Sequence, residues 1–179
     1  RSAGHGRLAT ALSSWYGPRL GRTLDPLTTV LTTAGATEAL YAFIHAFVGA
    51  GDEVVLMEPF YDSYPADVVL AGGTPVFVPL RPTPGGSSSS DWALDPNELR
   101  RAITPRTKMI IVNTPHNPVG KIFSRKELED IAKIAIEHDL LVISDEVYET
   151  IVYDDAPSKH ISIGTQIRFL GVFLTVTML

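Results

Sequence analysis

The sequence predicts an α/β domain built on a mainly parallel sheet with helices on both of its faces. Short apolar segments alternate with amphipathic segments at close spacing, an order typical of strand–helix–strand units. Residues 140–148 begin with Leu-Leu-Val-Ile and continue at once with Ser-Asp-Glu. Such a short, unbroken apolar run favours a strand covered on both faces. Asp145 then falls at the carboxyl end of that strand, where open α/β sheets bind their ligands.

The composition is that of an ordinary globular domain. The chain has 179 residues, of which 45% are hydrophobic and 20% charged, enough for one domain with a sizeable core. A net charge of −5 with scattered basic residues argues against nucleic acid or a membrane surface as the main partner. The sequence has no cysteine and its five histidines show no metal-ligand spacing, so we expect neither a disulfide nor a metal site.

Helical periodicity and helix-start signals predict five helices. Gly-Pro at 17–18 is expected to end the first of them. Asp95 followed by Pro96 marks a helix start, as does the capping box formed by Ser124 and Glu127. The predicted helices cover residues 6–16, 38–48, 62–70, 95–103 and 124–138.

Apolar segments between these helices predict the strands. A loop rich in proline, glycine and serine at 82–90 is expected to be the most flexible part of the chain. The apolar tail 169–179 is too short to cross a bilayer, so we predict a core strand there. The other predicted strands cover residues 30–33, 54–57, 74–79, 108–113 and the start of 140–148.

Three features near strand ends can serve a ligand, and each also has a purely structural explanation. Residues 34–37 form a strand-to-helix turn that can bind an anion, or can be a simple helix cap. Asn117 lies between two prolines in a rigid loop, which either fixes its amide for a ligand or is only a turn. Tyr61 follows a strand and Pro59, and is either an aromatic platform or a core residue.

Two nucleotide-binding motifs are absent. A P-loop requires Gly-x-x-x-x-Gly-Lys-Ser/Thr, and a dinucleotide-binding fold requires Gly-x-Gly-x-x-Gly after its first strand; neither occurs in this sequence. Asp145 and Glu146 are neighbours, so on an extended chain their side chains point to opposite faces of the sheet. A shared two-carboxylate acid/base site is therefore not expected.

The order of four motifs carries a family resemblance. The motifs are Gly-Ala-Thr at 35–37, Glu-Pro-Phe-Tyr-Asp-Ser-Tyr at 58–64, Asn-Thr-Pro-His-Asn-Pro-Val-Gly-Lys at 113–121 and Ser-Asp-Glu-Val-Tyr at 144–148. Together they resemble the large domain of class I (fold-type I) aminotransferases, which use pyridoxal 5′-phosphate (PLP). Within that family, the chain looks most similar to the kynurenine aminotransferase, glutamine transaminase K and cysteine-S-conjugate β-lyase group. The resemblance implies an incomplete three-layer large PLP-transferase domain.

The resemblance assigns cofactor contacts to several residues. Asp145 matches the aspartate that pairs with the protonated ring nitrogen and keeps the ring a strong electron sink. Tyr148 and Asn117 match the tyrosine and asparagine that share the ring's 3′-oxygen. Ala36 and Thr37 match the phosphate-binding turn.

Tyr61 completes this set, since it matches the aromatic residue that stacks on the cofactor ring. Residues 1–163 correspond to part of the large domain, and residues 164–179 form a divergent tail. Residues 173–176 look like the strand before the Schiff-base lysine, but Thr177-Met178 replaces the expected Gly-Ser and the printed chain ends at Leu179. The small domain, with its arginine for the substrate carboxylate, is not represented. We therefore expect a fragment without a catalytic lysine and with little or no activity.

For the complete enzyme, the resemblance implies transfer of the amino group of a kynurenine-, glutamine- or aromatic-type amino acid to a 2-oxo acid. Two alternatives stay open: a PLP-dependent cysteine-conjugate β-lyase, and a non-catalytic truncated product. The resemblance also implies a homodimer in the full-length form and a cytoplasmic or mitochondrial location. Amino-acid and 2-oxo-acid substrates are the expected partners, rather than nucleic acid or membrane.

Overall fold

A six-stranded sheet forms the centre of the computed structural model, which describes residues 3–156, 159–165 and 173–177. The strands are β1 Glu53–Glu58, β2 Thr74–Pro82, β3 Trp92–Leu94, β4 Thr107–Asn113, β5 Leu141–Asp145 and β6 Phe173–Val176. Their order across the sheet is β3-β2-β1-β4-β5-β6. The edge strand β3 pairs antiparallel with β2, and the other pairs are parallel. The predicted mainly parallel sheet is therefore confirmed.

Helices cover both faces of this sheet, as predicted. They are α1 Gly6–Leu20, α2 Ala36–Phe47, α3 Ser63–Leu70, α4 Pro96–Ala102 and α5 Arg125–Glu137. Alternation along the strands supplies two apolar cores, because successive side chains point to opposite faces. The α5 core includes Val55, Ile110, Val112, Leu128, Ile131 and Val142. The α2/α3 core includes Leu40, Ile44, Leu56, Tyr64, Val68, Ile111, Ile143 and Val176.

Two predicted boundaries near the amino terminus are wrong. Residues 30–33 are not a strand, since no described strand lies beside them and the Thr32 amide donates instead to the Ala3 carbonyl at 3.2 Å. Gly17-Pro18 does not end α1, which continues to Leu20. Pro18 lies in the last turn and removes only the one hydrogen bond that its own N–H would donate, so the helix continues until Gly21, which ends it with a left-handed φ of 62°.

The predicted tail strand is confirmed as β6, which pairs parallel with β5 from Val142 to Asp145. It lies on the side of β5 away from β4, and its Val176 packs into the α2/α3 core. Most of the divergent tail, at 166–172 and 178–179, lies outside the described residues.

The loop between β4 and α5 is held by its own backbone. The Gly120 amide donates to the His116 carbonyl at 2.6 Å, and the His116 amide donates to the Lys121 carbonyl at 2.8 Å. The His116 side chain is only 4% exposed, and its Nδ1 has no hydrogen-bond partner among the described residues. Burial, assisted by the nearby charge of Lys121, lowers the pKa of His116 to about 4. The imidazole is therefore neutral in the folded protein at pH 7.

His116 makes a pH prediction for stability. An unfolded histidine has a pKa of about 6.5, so between about pH 6.5 and 4 the unfolded chain binds a proton that the folded chain refuses. We expect this residue to reduce the free energy of unfolding by up to about 3 kcal/mol as pH falls through that window. Urea unfolding at several pH values would measure this loss.

The matched variants are His116→Gln and His138→Gln, because the side chain of His138 is exposed. The His116 variant should show a shallower loss of stability towards pH 4, whereas the His138 variant should follow the unsubstituted chain. The comparison uses the slope against pH, so a uniform loss of stability in either variant does not affect it. Equal slopes in all three proteins would contradict the prediction.

Candidate functional site

Asp145 is a buried acid at the carboxyl end of β5. Its side chain is 4% exposed, and Oδ2 accepts a 2.6 Å hydrogen bond from the Tyr64 hydroxyl. Oδ1 accepts a longer bond, 3.3 Å, from the Val147 amide. In the described part of the chain, no lysine, arginine or histidine forms an ion pair with this carboxylate. Burial raises the pKa of Asp145, so a cation placed against it would be bound favourably.

Tyr64 was not anticipated as a site residue from the sequence. It lies at the start of α3 and is 4% exposed within the α2/α3 core. Burial raises the pKa of Tyr64, and the nearby Asp145 carboxylate adds to this rise. The phenol therefore stays protonated and acts as a donor to Asp145. Tyr64 follows Tyr61 by three residues at the start of the predicted helix 62–70, and this spacing was the signal that could have found it.

Tyr61 and Tyr148 lie on either side of this pair in the chain, and both are half-buried. The ring of Tyr61 meets that of Tyr64 edge-on, with the centroids 5.6 Å apart. Tyr148 lies close enough to Tyr64 for the two phenols to interact electrostatically. Two of the predicted site residues are thus gathered around the Tyr64–Asp145 hydrogen bond.

Asn113 links the predicted Asn117 loop to Asp145, and sequence reasoning missed this role as well. Asn113 is 3% exposed at the end of β4, directly opposite Asp145 in the strand register. Its Nδ2 donates to the Asp145 carbonyl at 3.0 Å, and its Oδ1 accepts from the Asn117 amide at 2.6 Å. The half-buried Asn117 side chain makes no hydrogen bond to a described residue, so its amide is available to a ligand.

The amino-terminal end of α2 contains the predicted phosphate turn. Ala36 packs against the α2/α3 core, so this end lies on the face of the sheet that carries Tyr64. Gly35 precedes the helix and offers no side-chain cap, while Thr37 is exposed in the first turn. Uncapped first-turn amides and the helix dipole favour an anion there, although the nearby Glu38 carboxylate, which accepts from the Ala34 amide, opposes one.

Glu146 points to the opposite face, as predicted from its position beside Asp145. Its carboxylate accepts from the hydroxyls of Ser144 and Ser162, and pairs with His160 Nε2 at 3.0 Å. A cavity of about 980 Å³ lies on this side and is lined by Glu146 and His160 rather than by Asp145. This cavity therefore does not coincide with the predicted cofactor site.

The same side brings Glu146, Glu149 and His160 together, with one ligand atom of each within 4.8 Å of the others. These carboxylates already have partners. Glu149 Oε1 accepts from the hydroxyls of Tyr16 and Thr177, in addition to the bonds that Glu146 receives. We interpret the group as a hydrogen-bonded network that joins α1 to the ends of β5 and β6.

The residues present fit a pyridine cofactor carrying a phosphate. Asp145 is a buried acid without a cation among the described residues. Asn117 offers an amide, Tyr148 a phenol and Tyr61 an aromatic ring, and the start of α2 has no side-chain cap. The acid suits a protonated ring nitrogen, and the amide and phenol suit a ring oxygen. The aromatic ring suits the face of the cofactor ring, and the helix start suits a phosphate. The individual assignments of Ala36, Thr37, Tyr61, Asn117, Asp145 and Tyr148 to the cofactor stay predictions.

None of the helices in the described part of the chain combines the length and apolar character needed to cross a membrane.

Among known proteins, the chain is 48% identical to kynurenine–oxoglutarate transaminase 1 of Rattus norvegicus over 169 residues. The aligned region covers 92% of this chain and 40% of the rat protein. The Homo sapiens enzyme of the same name is 47% identical, again over 92% of this chain and 40% of the relative. The chain thus spans about 40% of the length of these relatives.

Solved structures share the fold. N-succinyldiaminopimelate aminotransferase from Mycobacterium tuberculosis superposes with a TM-score of 0.89 and 42% identity, over 99% of this chain and 44% of that one. An aromatic aminotransferase from Pyrococcus horikoshii gives 0.87 and 37%, over 98% and 45%. The family profile described as "Aminotransferase class I and II" matches residues 1–178. The chain therefore belongs to the class I and II aminotransferase family, whose members depend on PLP.

Proposed function

We propose that this chain forms the cofactor-binding part of a PLP-dependent aminotransferase of the kynurenine–oxoglutarate type. The reaction would move the amino group of a kynurenine-, glutamine- or aromatic-type amino acid to a 2-oxo acid. The observation that carries the proposal is Asp145, a buried carboxylate at a strand end that lacks a cation among the described residues. The similarity to relatives named kynurenine–oxoglutarate transaminase supports the choice of substrates.

Each residue of the site would have a distinct task. Asp145 would hold the ring nitrogen in its protonated form, since an anion kept in a dry site favours a cation beside it. Asn117 and Tyr148 would donate to the ring oxygen, and Tyr61 would cover the ring face. The first turn of α2, with Ala36 and Thr37, would take the phosphate.

When bound, PLP supplies the electron sink that makes the α-proton of an amino acid acidic. The contribution of the chain is to keep that sink strong and fixed in place. Asp145 does so through charge. Asn113 does so through geometry, because it joins the backbone of Asp145 to that of Asn117. The residues predicted to contact the ring nitrogen and the ring oxygen would thereby be kept at one spacing.

Further parts of the proposal concern the assembly and the domain limits. We propose that residues 1–163 belong to the large domain and that the full-length form is a homodimer. Exposed apolar side chains on α2 and α3, namely Tyr41, Phe47, Val69 and Leu70, support a second copy covering this surface. We also propose a cytoplasmic or mitochondrial location, which rests on the family alone.

Cofactor binding is tested with the 179-residue chain and pyridoxamine 5′-phosphate. This probe has no aldehyde, so it cannot react with surface lysines and reports only the non-covalent site. We expect calorimetry to show binding of one equivalent near neutral pH. Asp145→Asn should weaken it at least about tenfold, since hydrogen bonds to charged groups contribute about 1.5–3 kcal/mol.

Asp154→Asn is the control for that experiment, because it removes the same charge at an exposed position. Its affinity should equal that of the unsubstituted chain. Equal affinities for the Asp145 and Asp154 variants would remove Asp145 from the site. Absence of any binding to the unsubstituted chain would favour the non-catalytic alternative.

The reaction is tested in a chimera in which this chain replaces the matching segment of the rat relative. We expect the chimera to form glutamate from kynurenine and 2-oxoglutarate. Asp145→Asn should lower kcat/KM by about 10²-fold or more, the usual effect of losing one electrostatic group in a site. Asp154→Asn should leave it unchanged.

Product analysis with a cysteine S-conjugate separates the two enzymatic alternatives in the same chimera. Elimination to pyruvate that exceeds transamination of kynurenine would favour the β-lyase. A chimera that folds and binds pyridoxamine 5′-phosphate but yields neither product would contradict a catalytic function for this segment.

A further inference from the structure

The Tyr64 hydroxyl donates a hydrogen bond to one carboxylate oxygen of Asp145, the residue on which the proposed function depends. We propose that Tyr64 is a positioning residue that fixes the Asp145 carboxylate so that Oδ1, rather than Oδ2, meets the ring nitrogen of a bound pyridine cofactor. This inference rests on the proposed function for its ligand. The contact between Tyr64 and Asp145 itself does not depend on it.

The two oxygens of Asp145 differ in their surroundings. Oδ2 accepts from Tyr64 at 2.6 Å, a length typical of a charge-assisted O–H···O bond. Oδ1 accepts only from the Val147 amide at 3.3 Å, beyond the usual range for N–H···O bonds. Oδ1 therefore keeps the greater capacity to accept from a further donor such as a protonated ring nitrogen.

The phenol is held rigidly enough to impose this choice. Tyr64 is 4% exposed and packs within the α2/α3 core beside Val68, so its ring has little freedom to rotate away. Its backbone amide donates to the Tyr61 carbonyl at 3.2 Å, and the two rings meet edge-on. The carboxylate is thus restrained from α3, an element separate from the strand that carries it.

The charges around the pair assign its proton to the phenol. Burial raises the pKa of Asp145, and the Tyr64 hydrogen bond counteracts that rise. Burial also raises the pKa of Tyr64, with further contributions from Asp145, Tyr148 and Tyr61. Glu146 is the other charged group that acts on Asp145, and it raises the pKa of that carboxyl. With the phenol donating, Asp145 is a weaker base and leaves the proton on the ring nitrogen.

A purely structural explanation must be distinguished from positioning. A buried tyrosine needs an acceptor for its hydroxyl, and losing that bond would reduce stability whatever Asp145 does. A structural role would change the free energy of unfolding and nothing else. A positioning role would also change the titration of Asp145 and the ring nitrogen of the ligand.

The variants are Tyr64→Phe and, as a matched control, Tyr16→Phe. Tyr16 is part-buried and also donates to a carboxylate, that of Glu149. The first measurement is a pH titration of the aspartate carboxyl carbons by ¹³C NMR in the cofactor-free chain, with Asp145 identified by its absence in Asp145→Asn. Tyr64→Phe should raise the Asp145 midpoint by about one pH unit or more, and Tyr16→Phe should leave it unchanged.

The second measurement is binding of pyridoxamine 5′-phosphate, with the ultraviolet absorbance of the bound ring followed against pH. Tyr64→Phe should weaken binding about tenfold, and should lower the pH at which the ring nitrogen loses its proton relative to the unsubstituted chain. Tyr16→Phe should reproduce the affinity and the pH midpoint of the unsubstituted chain.

The outcomes separate this inference from the proposed function. No binding to the unsubstituted chain overturns the proposed function and the ligand named here, even if the Asp145 midpoint moves. Binding with an unmoved Asp145 midpoint and ring titration in Tyr64→Phe overturns the positioning role alone. If Tyr64→Phe does not fold, 3-fluorotyrosine at position 64 keeps the ring and gives a stronger donor. It should lower the Asp145 midpoint, and an unchanged midpoint overturns the inference.

Discussion

The Asp145 carboxylate lies at the end of β5 with Tyr64 as its close donor and without an ion-pair partner among the described residues. A buried acid in this state is costly unless something positive reaches it, because its charge has left water. Much of the surrounding structure serves to hold this acid. β4 supplies Asn113, α3 supplies Tyr64, and the chain after β5 returns its Val147 amide.

The neighbouring Glu146 lies on the opposite face of the sheet from Asp145 and has different hydrogen-bond partners. Alternation along the extended chain sends Asp145 towards α3 and Glu146 towards Ser162 and His160. Glu146 has its charge met by hydroxyls and an imidazole, and so has little left to offer a ligand. Asp145 has one strong hydrogen bond and retains capacity for another. Members of this family bind a pyridine cofactor, and the proposed function assigns the remaining capacity of Asp145 to its ring nitrogen.

Much of the fold could be predicted because its signals are local. Apolar runs at 54–57 and 108–113 and the capping box of Ser124 fall where β1, β4 and α5 form. The prediction of a strand at 30–33 was wrong because a strand requires a neighbouring strand to pair with, and none of the described strands pairs with this segment. The predicted end of α1 failed because Pro18 removes only one hydrogen bond near the end of the helix, and the residue that ends the helix is the left-handed Gly21.

The sequence by itself determined the α/β class, the family and the position of Asp145 at a strand end, because period, turn residues and motif order are written in neighbouring residues. Only the tertiary structure decided which groups touch that acid. Tyr64 is 81 residues from Asp145 and Asn113 is 32 residues away, and they meet it through strand register and helix packing. Those contacts arise from long-range packing of the chain. Patterns among neighbouring residues do not encode these contacts. The local sequence therefore determines where Asp145 lies, and the long-range contacts determine how its carboxylate is oriented.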